Sequence, residues 1–233
     1  MKTFDDLYIS SLDDMIQAVN DLGIVPFFRN SISGFSIEEH CKPEIWFTDI
    51  TGPWEWKGPV IRETNCAYGK FFEHKAAWIS KKWFPDFANY RRDGYDFDAR
   101  FDDELASFRD KMLFDLVERT APVLSRQLKK EGNYGKDGNK GFDTIIGRLQ
   151  AQCYVLISDF VYEKDKHGNT YGWGVAEYST PEKLMGRAFK NHVYERSPEE
   201  SFERVLRHLK KIVPGADERA LRKFLKAMSG SSK

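Results

Sequence analysis

Two glutamines, Gln150 and Gln152, form the short motif best suited to carry chemistry in this chain. A neutral amide can hydrogen-bond the polar edge of a nucleobase, or it can hold a water molecule in place. Residues two apart share a face on a strand, whereas on a helix they point about 200° apart. The motif falls where a predicted helix turns into a strand, so both arrangements stay open. The plainer alternative is a pair of amides at a helix end.

A cluster of basic residues precedes and overlaps this motif. Residues 125–150 contain six Lys or Arg and three Asp or Glu, which gives a local charge of +3. Basic side chains beside the free N–H groups of a helix N-terminus suit phosphate oxygens. An ordinary solvated face is the alternative. The residues predicted to contact nucleic acid are Lys136, Lys140, Thr144, Arg148 and His167.

Metal and cofactor sites have no support in the sequence. Glu73 and His74 are adjacent, so their side chains point apart, and no second histidine lies nearby. A packing or orienting role for His74 is the expectation. The chain also lacks a P-loop, a G-x-S-x-G motif and a G-x-G-x-x-G motif. We therefore predict neither a bound metal nor a cofactor.

The elements that position these residues are clearest between residues 102 and 178. Apolar residues at helical spacing predict a helix that runs from Leu105 to Val117. Pro122 then breaks the chain, and Ser125 is expected to cap a short helix that ends at Lys130.

A third helix and a hairpin complete this segment. Phe142, Ile145, Ile146 and Leu149 recur at i, i+3, i+4 and i+7, which predicts that they form its buried face. Strand-like runs at residues 154–162 and 171–178 flank a polar turn. Three helices followed by a hairpin is the order of a winged helix, although a generic α+β segment would give the same pattern.

The rest of the chain yields a coarser prediction. Ser11 and Asp14 form a capping box, and Gly23 ends the helix that follows. Short strands and turns are expected from residue 45 to 83, with turns at Gly52-Pro53 and Gly58-Pro59. A helix near 81–91 and a surface loop over 93–104 come next. Helices that begin after Thr180 and Ser197, and one near residues 220–225, follow the hairpin.

These elements predict an α+β fold. It contains a winged-helix unit with a small β-hairpin, flanked by an aromatic-rich N-terminal α+β region and by C-terminal helices. The proposed divisions are residues 1–100, 101–180 and 181–233.

The charge of the chain is unevenly distributed although its formal net value is zero. Residues 1–60 hold four Lys or Arg against ten Asp or Glu, a net of −6, and residues 201–233 hold nine against three, a net of +6. This separation can steer one face toward an anionic polymer, or it can reflect docking of the two chain ends. Because the total is neutral, binding to DNA is predicted to be weak and steeply salt-dependent.

The composition favours a folded protein of the cytoplasm with no membrane contact. No run approaches 18 apolar residues, and the N-terminus is acidic where a secretory signal would be basic and then apolar. Three widely spaced cysteines support neither a disulfide framework nor a zinc site.

Two stretches resemble a known family. Residues 71–80, with Trp83-Phe84-Pro85 after them, resemble an aromatic–x–His–x–Ala segment of the AlkZ (YcaQ-like) winged-helix DNA glycosylases. Residues 116–178 are similar to the winged helix that follows it, in which Pro122-Val123-Leu124-Ser125 matches the turn that opens the second helix. The region before residue 70 is too short and acidic for another such unit, so we expect a divergent member that lacks the N-terminal catalytic domain.

The resemblance implies hydrolytic excision of alkylated or crosslinked bases without metal or cofactor. A Gln-x-Gln or Gln-x-Asp pair positions water in that family, which makes Gln150 and Gln152 the candidate catalytic residues. Gln152 would position the water, and Gln150, expected to project farther outward, would hold the nucleotide. Two alternatives stay open: a non-enzymatic module whose aromatic-rich N-terminal half docks a protein partner, and a small-molecule enzyme.

Overall fold

The structure is a computed structural model that describes residues 2–46, 52–168 and 170–227 of the 233-residue chain. The helices are α1 (Leu12–Leu22), α2 (Pro53–Thr64), α3 (Phe84–Arg92), α4 (Phe97–Asp102), α5 (Phe108–Thr120), α6 (Ser125–Glu131), α7 (Phe142–Ala151), α8 (Pro181–Leu184), α9 (Arg187–His192), α10 (Pro198–Ile212) and α11 (Glu218–Lys226). The strands are β1 (Ile24–Pro26), β2 (Ala67–Phe72), β3 (Lys75–Ile79), β4 (Val123–Leu124), β5 (Leu156–Lys164) and β6 (Thr170–Ser179). The fold is therefore α+β, as the sequence predicts.

Helix α1 and a small antiparallel sheet open the fold. The Ser11 hydroxyl accepts a hydrogen bond from the backbone N–H of Asp14, and the Asp14 carboxylate accepts one from the N–H of Ser11. Gly23 ends the helix with a φ of 74°, in the left-handed region that glycine adopts without strain. Both predicted helix signals are thus confirmed. The chain then enters the sheet, whose strand order is β1-β3-β2.

Helix α2 corrects the prediction of strands and turns for residues 53–64. Pro53 occupies the first position of the helix, where its missing N–H is not needed. Pro59 lies inside the helix and removes one backbone hydrogen bond. Burial of Trp56, Val60 and Ile61 offsets that loss, because these residues form the face that packs into the core.

Helix α4 corrects the loop expected over residues 93–104. The Asp96 carboxylate accepts a hydrogen bond from the N–H of Ala99 at 2.8 Å and so caps this short helix. Phe97 is its buried residue and stacks on Phe114 of α5, with ring centroids 4.2 Å apart. An acidic composition therefore marks a helix cap here and not a loop.

The middle of the chain has the predicted order of three helices and a hairpin. The four residues Phe142, Ile145, Ile146 and Leu149 are all buried on α7, as their spacing predicts. The sequence did not reveal β4, which pairs with β6 and makes a three-stranded sheet of order β4-β6-β5.

Two boundaries in this segment differ from the prediction. Helix α5 begins at Phe108, after a capping box of Ser107 and Asp110, so Leu105 lies outside it. Ser125 is the first residue of α6, and Leu124 occupies the cap position without a side-chain hydrogen bond.

The C-terminal helices begin at the predicted caps. The Thr180 and Ser197 hydroxyls accept hydrogen bonds from the N–H groups of Lys183 and Glu200, and proline follows each cap. Helix α9, which the sequence did not indicate, lies between them. Within the described ranges, no helix is long and apolar enough to cross a bilayer.

The core is continuous across the three predicted segments. Strand β5 packs against α2 and β2, α7 packs against α5 and β2, and α10 packs against α3. The ends of the chain meet through apolar contacts, because Phe224 of α11 stacks on Phe72 and meets Phe35 edge-on, with centroids 4.5 Å and 5.6 Å away. Divisions at residues 100 and 180 stay a prediction.

Candidate nucleic-acid interface

Gln150 lies inside the protein, where α7 meets β2. Its side chain is fully buried, with Oε1 accepting a hydrogen bond from the N–H of Lys70 and Nε2 donating to the carbonyl of Ile146, both at 3.2 Å. A Cβ on Gly69 would come within 3.4 Å of the same Oε1, so the strand runs close to the helix. The expectation that Gln150 projects outward was therefore wrong. Helix α7 is covered by α5 and by β2, which makes its buried face wider than one apolar stripe.

Gln152 follows the last residue of α7 in a turn that three contacts hold. Its N–H donates to the carbonyl of Arg148 at 2.9 Å, and the N–H of Cys153 donates to the carbonyl of Gln150 at 2.8 Å. The buried guanidinium of Arg92 donates through Nη2 to the carbonyl of Cys153 at 2.8 Å. The Gln152 side chain is 9% exposed and forms no hydrogen bond with another described residue. Its amide is thus carried by a fixed backbone and is held by no side-chain hydrogen bond to the described residues.

Arg148 joins α7 to α5. Its Nε and Nη2 both donate to Oδ1 of Asp110, at 3.1 Å and 2.5 Å. The Asp110 side chain is only 8% exposed, and its other oxygen accepts the Ser107 hydroxyl hydrogen bond of the α5 capping box. The charge of Arg148 is therefore compensated inside the fold.

The loop between α6 and α7, which we call the lysine loop, carries two exposed lysines. The ammonium of Lys140 donates to the carbonyls of Gly135 and Lys136, so it closes the loop on itself. Lys136 is exposed and has no ion-pair partner among the described residues. The structure thus brings Lys136 and Lys140 together.

Thr144 and His167 are exposed but lie on different elements. Thr144 is in the first turn of α7, directly after the lysine loop. His167 lies in the turn of the β5–β6 hairpin, where its N–H donates to the Asp165 carboxylate at 2.8 Å. No hydrogen bond or ion pair joins His167 to the lysine loop in the described part of the chain. We call Lys136, Lys140, Thr144, Arg148 and His167 together the α7 surface.

Neighbouring cations of the α7 surface are also paired within the protein. Arg126 of α6 forms an ion pair with Glu163 of β5, and Lys129 pairs with Asp143 at 3.4 Å. With Arg148 on Asp110, three of the six basic residues counted over 125–150 have an acidic partner. The positive charge available to a ligand is smaller than the sequence count suggests.

His74 and the cysteines are not placed for chemistry. His74 and Glu73 form the turn of the β2–β3 hairpin, both with positive φ, and His74 is exposed. Burial raises the pKa of Cys41 to about 11 and the pKa values of Cys66 and Cys153 to about 12, so these thiols stay protonated at neutral pH. No group of three or more His, Cys, Asp or Glu that could hold a metal occurs among the described residues.

Sequence reasoning missed a second basic region, a cleft of about 790 Å³ between α1, the turn before α3, and α10. The excess of positive charge over residues 201–233 was a signal for it, but the partner segments lie more than a hundred residues away. We call it the basic cleft, and its cationic residues are Lys81, Lys82, Arg204, Arg207 and Lys211.

A comparison with known families gives one match. The family described as AlkZ related matches residues 9–226, a range that holds every helix and strand named above. No curated protein and no solved structure matches the chain. The match relates the chain to glycosylase-like proteins of DNA repair. The chain belongs to the AlkZ-related family.

Proposed function

We propose that this protein binds DNA through a winged-helix unit formed by residues 108–179 and acts in DNA repair. The observation that carries the proposal is the order α5–β4–α6–α7–β5–β6 with a sheet of order β4-β6-β5. In helix-turn-helix proteins, to which winged helices are related, a recognition helix lies in the major groove. Helix α7 holds the corresponding place, directly after the lysine loop.

The start of α7 is suited to phosphate. Gly141, with a φ of 86°, precedes the helix and has no side chain to cap it. The first N–H groups of the helix are therefore open to an anion, which the helix dipole also favours. Lys136 and Lys140 lie on the loop that leads into this end, and Thr144 is exposed in the first turn of the helix. These residues would contact the DNA backbone, and His167 would contact it from the hairpin turn.

Arg148 has a smaller role in this proposal than its charge suggests. Because Asp110 occupies two of its guanidinium nitrogens, Arg148 mainly holds α7 against α5. Its contribution to DNA affinity is therefore indirect, through the rigidity of the unit.

Base excision, which the resemblance implies, would depend on Gln152. In that reaction the bond between the base and the sugar carbon C1′ breaks, and a water oxygen bonds to C1′. The base leaves with the electron pair of the broken bond, and the proton that the water loses passes to the base or, where the alkylated base is cationic, to solvent. An amide contributes only when it is rigidly held beside an extruded base. The backbone at Gln152 is fixed in this way by its hydrogen bonds. The Gln150 amide uses both its oxygen and its nitrogen in hydrogen bonds within the protein and so holds the motif in place.

Release of an alkylated base from duplex DNA tests the enzymatic part. If the protein excises bases, the wild type releases the base and Gln152→Ala does not. The DNA dissociation constant of that variant should stay within about twofold of wild type, because a single neutral amide adds little to backbone binding. Gln17→Ala, which changes an exposed glutamine of α1, is the control. If the wild-type protein releases no base, the excision assignment is wrong and the DNA-binding proposal stands alone.

Replacement of the two loop lysines tests the DNA-binding part. In Lys136→Ala/Lys140→Ala, we expect weaker binding to all duplex sequences and a shallower salt dependence, by about two units of slope. The control, Lys42→Ala/Lys190→Ala, removes two exposed lysines from other parts of the surface. Equal dissociation constants for the two variants in a low-salt titration would exclude the lysine loop as a contact.

One observation favours the alternative of a protein-interaction module. Leu105, Phe108 and Met112 are 50%, 68% and 45% exposed around the start of α5, which is unusual for large apolar side chains. The N-terminal aromatics on which that alternative was first based are mostly buried, among them Trp46, Trp56 and Trp78. An interaction module would therefore use the α5 residues, and complete absence of DNA binding would favour it.

A further inference from the structure

We infer that the basic cleft is a second binding site for the phosphodiester backbone of DNA, separate from the α7 surface. This inference rests on the proposed DNA-binding function and extends it to a part of the molecule outside the winged-helix unit. Three segments that are distant in the sequence meet at this cleft.

The turn before α3 is fixed against the end of α1. The N–H of Ser80 donates to the carbonyl of Gly23 at 2.8 Å, and the N–H groups of Trp83 and Phe84 donate back to the carbonyl of Ser80. Lys81 and Lys82 are the residues between these bonds, and both are exposed. The backbone therefore holds two adjacent lysines at one wall of the cleft.

Helix α10 forms the opposite wall through His208. The imidazole Nε2 donates to the carbonyl of Leu22 at 2.7 Å, and the ring stacks on Trp83 with centroids 3.9 Å apart. Burial, together with Lys82 and Lys211, lowers the pKa of His208 to about 4, so the ring is neutral at physiological pH. Arg204 and Lys211 lie one turn before and one turn after His208 and share its face. Arg207, the residue directly before His208, also lines the cleft.

Most of the cationic charge in the cleft has no acidic partner. Arg204 donates through Nε to the buried carboxylate of Asp86 at 3.0 Å, which compensates one cation. Asp21, the one acidic residue that lines the cleft in the described part of the chain, is paired with Lys2 at 2.7 Å. Four cations stay without an ion pair to any described residue: Lys81, Lys82, Arg207 and Lys211.

Contacts between the two ends of the chain do not neutralise these cations. The acidic N-terminal and basic C-terminal regions meet through Phe224 and through the His208 hydrogen bond, and no ion pair joins residues 2–46 or 52–60 to residues 201–227. Four like charges converging on one concavity repel each other, so an anion with several charges would stabilise the arrangement.

The aromatic residue of the cleft indicates backbone recognition and not base recognition. Trp83 is half-buried and stacked on His208, and Lys82 lies over its ring at 5.6 Å from the centroid. Its faces are therefore engaged within the protein, which leaves no free ring on which a base would stack. The groups left to bind a nucleic acid are the cations, which contact phosphates, and such contacts carry no sequence preference.

The test uses the full chain and a fluorescent 20-base-pair duplex at several salt concentrations. The variant is Lys82→Ala/Arg207→Ala/Lys211→Ala, and the matched control is Lys42→Ala/Lys190→Ala/Lys223→Ala, which removes the same charge from exposed positions outside the cleft. We expect the cleft variant to bind at least about tenfold more weakly at low salt, with a slope of log affinity against log salt shallower by about two to three units. The control should stay within about twofold of wild type, as expected for cations that contact no phosphate.

Further measurements separate the possible failures. Lys211→Glu alone checks the result with one exposed substitution, in case the triple variant unfolds. Equal affinity of the triple variant and its control for the duplex would overturn the inference while the proposed function stands. If sodium tripolyphosphate binds wild type but not the triple variant, and duplex binding is unchanged, the cleft is a site for small polyphosphates and the inference is wrong. If the wild-type protein binds no DNA, the proposed function fails first.

Discussion

The stretch from residue 125 to 150 and the basic cleft contain six and five Lys or Arg residues, but these residues differ in what they contact. Around α7, Arg126, Lys129 and Arg148 are each paired with an acidic residue of the same chain. In the cleft, Arg204 alone has such a partner among the described residues. A count of charges along the sequence therefore does not tell how much charge each region presents to a ligand, because that depends on ion pairing within the fold.

The largest effect that tests this contrast is expected for Arg148→Ala. Removing the guanidinium leaves the carboxylate of Asp110 buried without its partner, so the free energy of unfolding should fall by about 2–4 kcal/mol. Urea unfolding measures this loss. The double variant Asp110→Ala/Arg148→Ala should be less destabilised than the sum of the two single variants. A stable Arg148→Ala protein with much weaker DNA binding would instead place Arg148 on the DNA.

Acid should lower the stability of the folded protein through His208, which lies in the basic cleft. Its pKa in the folded protein, about 4, lies below the ordinary value of 6.5, so the unfolded chain binds more protons between these values. The stabilising contribution is complete above pH 6.5 and is lost as the pH falls toward 4, amounting to about 2–3 kcal/mol. Unfolding of wild type and His208→Gln from pH 7.5 to 4 measures it. Parallel pH profiles for the two proteins would contradict the assignment.

Replacement of each glutamine by alanine should destabilise the protein to a different extent. Gln150→Ala leaves the N–H of Lys70 without its acceptor and opens a space between α7 and β2, which should cost about 1–3 kcal/mol. Gln152→Ala loses no side-chain hydrogen bond within the described part of the chain and loses only the packing of its side chain, so it should cost less, about 0.5–1 kcal/mol. Thermal unfolding of the two variants side by side checks this. Similar losses would show that Gln152 is also a structural amide.

The smallest effect is expected when the paired cations near α7 lose their acidic partners. In Asp143→Asn/Glu163→Gln, Arg126 and Lys129 lose their acidic partners, and duplex affinity should rise several-fold at low salt. Stability should change by less than about 1 kcal/mol, because exposed ion pairs contribute little. Asp13→Asn/Glu63→Gln removes two exposed acids elsewhere and serves as the control. An equal rise in both variants would mean that net charge alone is responsible.

The sequence was most informative where the structure depends on the residues of a single helix or strand. The spacing of Phe142, Ile145, Ile146 and Leu149 predicts α7 and its buried face, since helical periodicity is local. Helix α2 was missed because Pro59 is a reliable breaker in isolation, and only packing of its apolar face shows why it is tolerated here. Gln150 was predicted to project outward because the periodicity of the sequence does not distinguish a helix packed on two sides from one packed on a single side.

The basic cleft was beyond reach for a different reason. Its walls come from residues near 20, 80 and 208, and no local pattern tells that these meet. Likewise, the pairing of Arg148 with Asp110 joins residues that lie 38 positions apart. The charge excess at the C-terminus was visible in the sequence, whereas its availability depended on tertiary contacts.

The salt dependence of duplex binding by the wild-type protein tests the central claim most directly. Four cations of the basic cleft and two of the lysine loop form no ion pair with a described residue. Together they predict measurable binding at low salt, with a slope of log affinity against log salt of about −5. Fluorescence anisotropy between low and physiological salt gives that slope in one series. Absence of binding at low salt, or a slope near zero, would contradict the account.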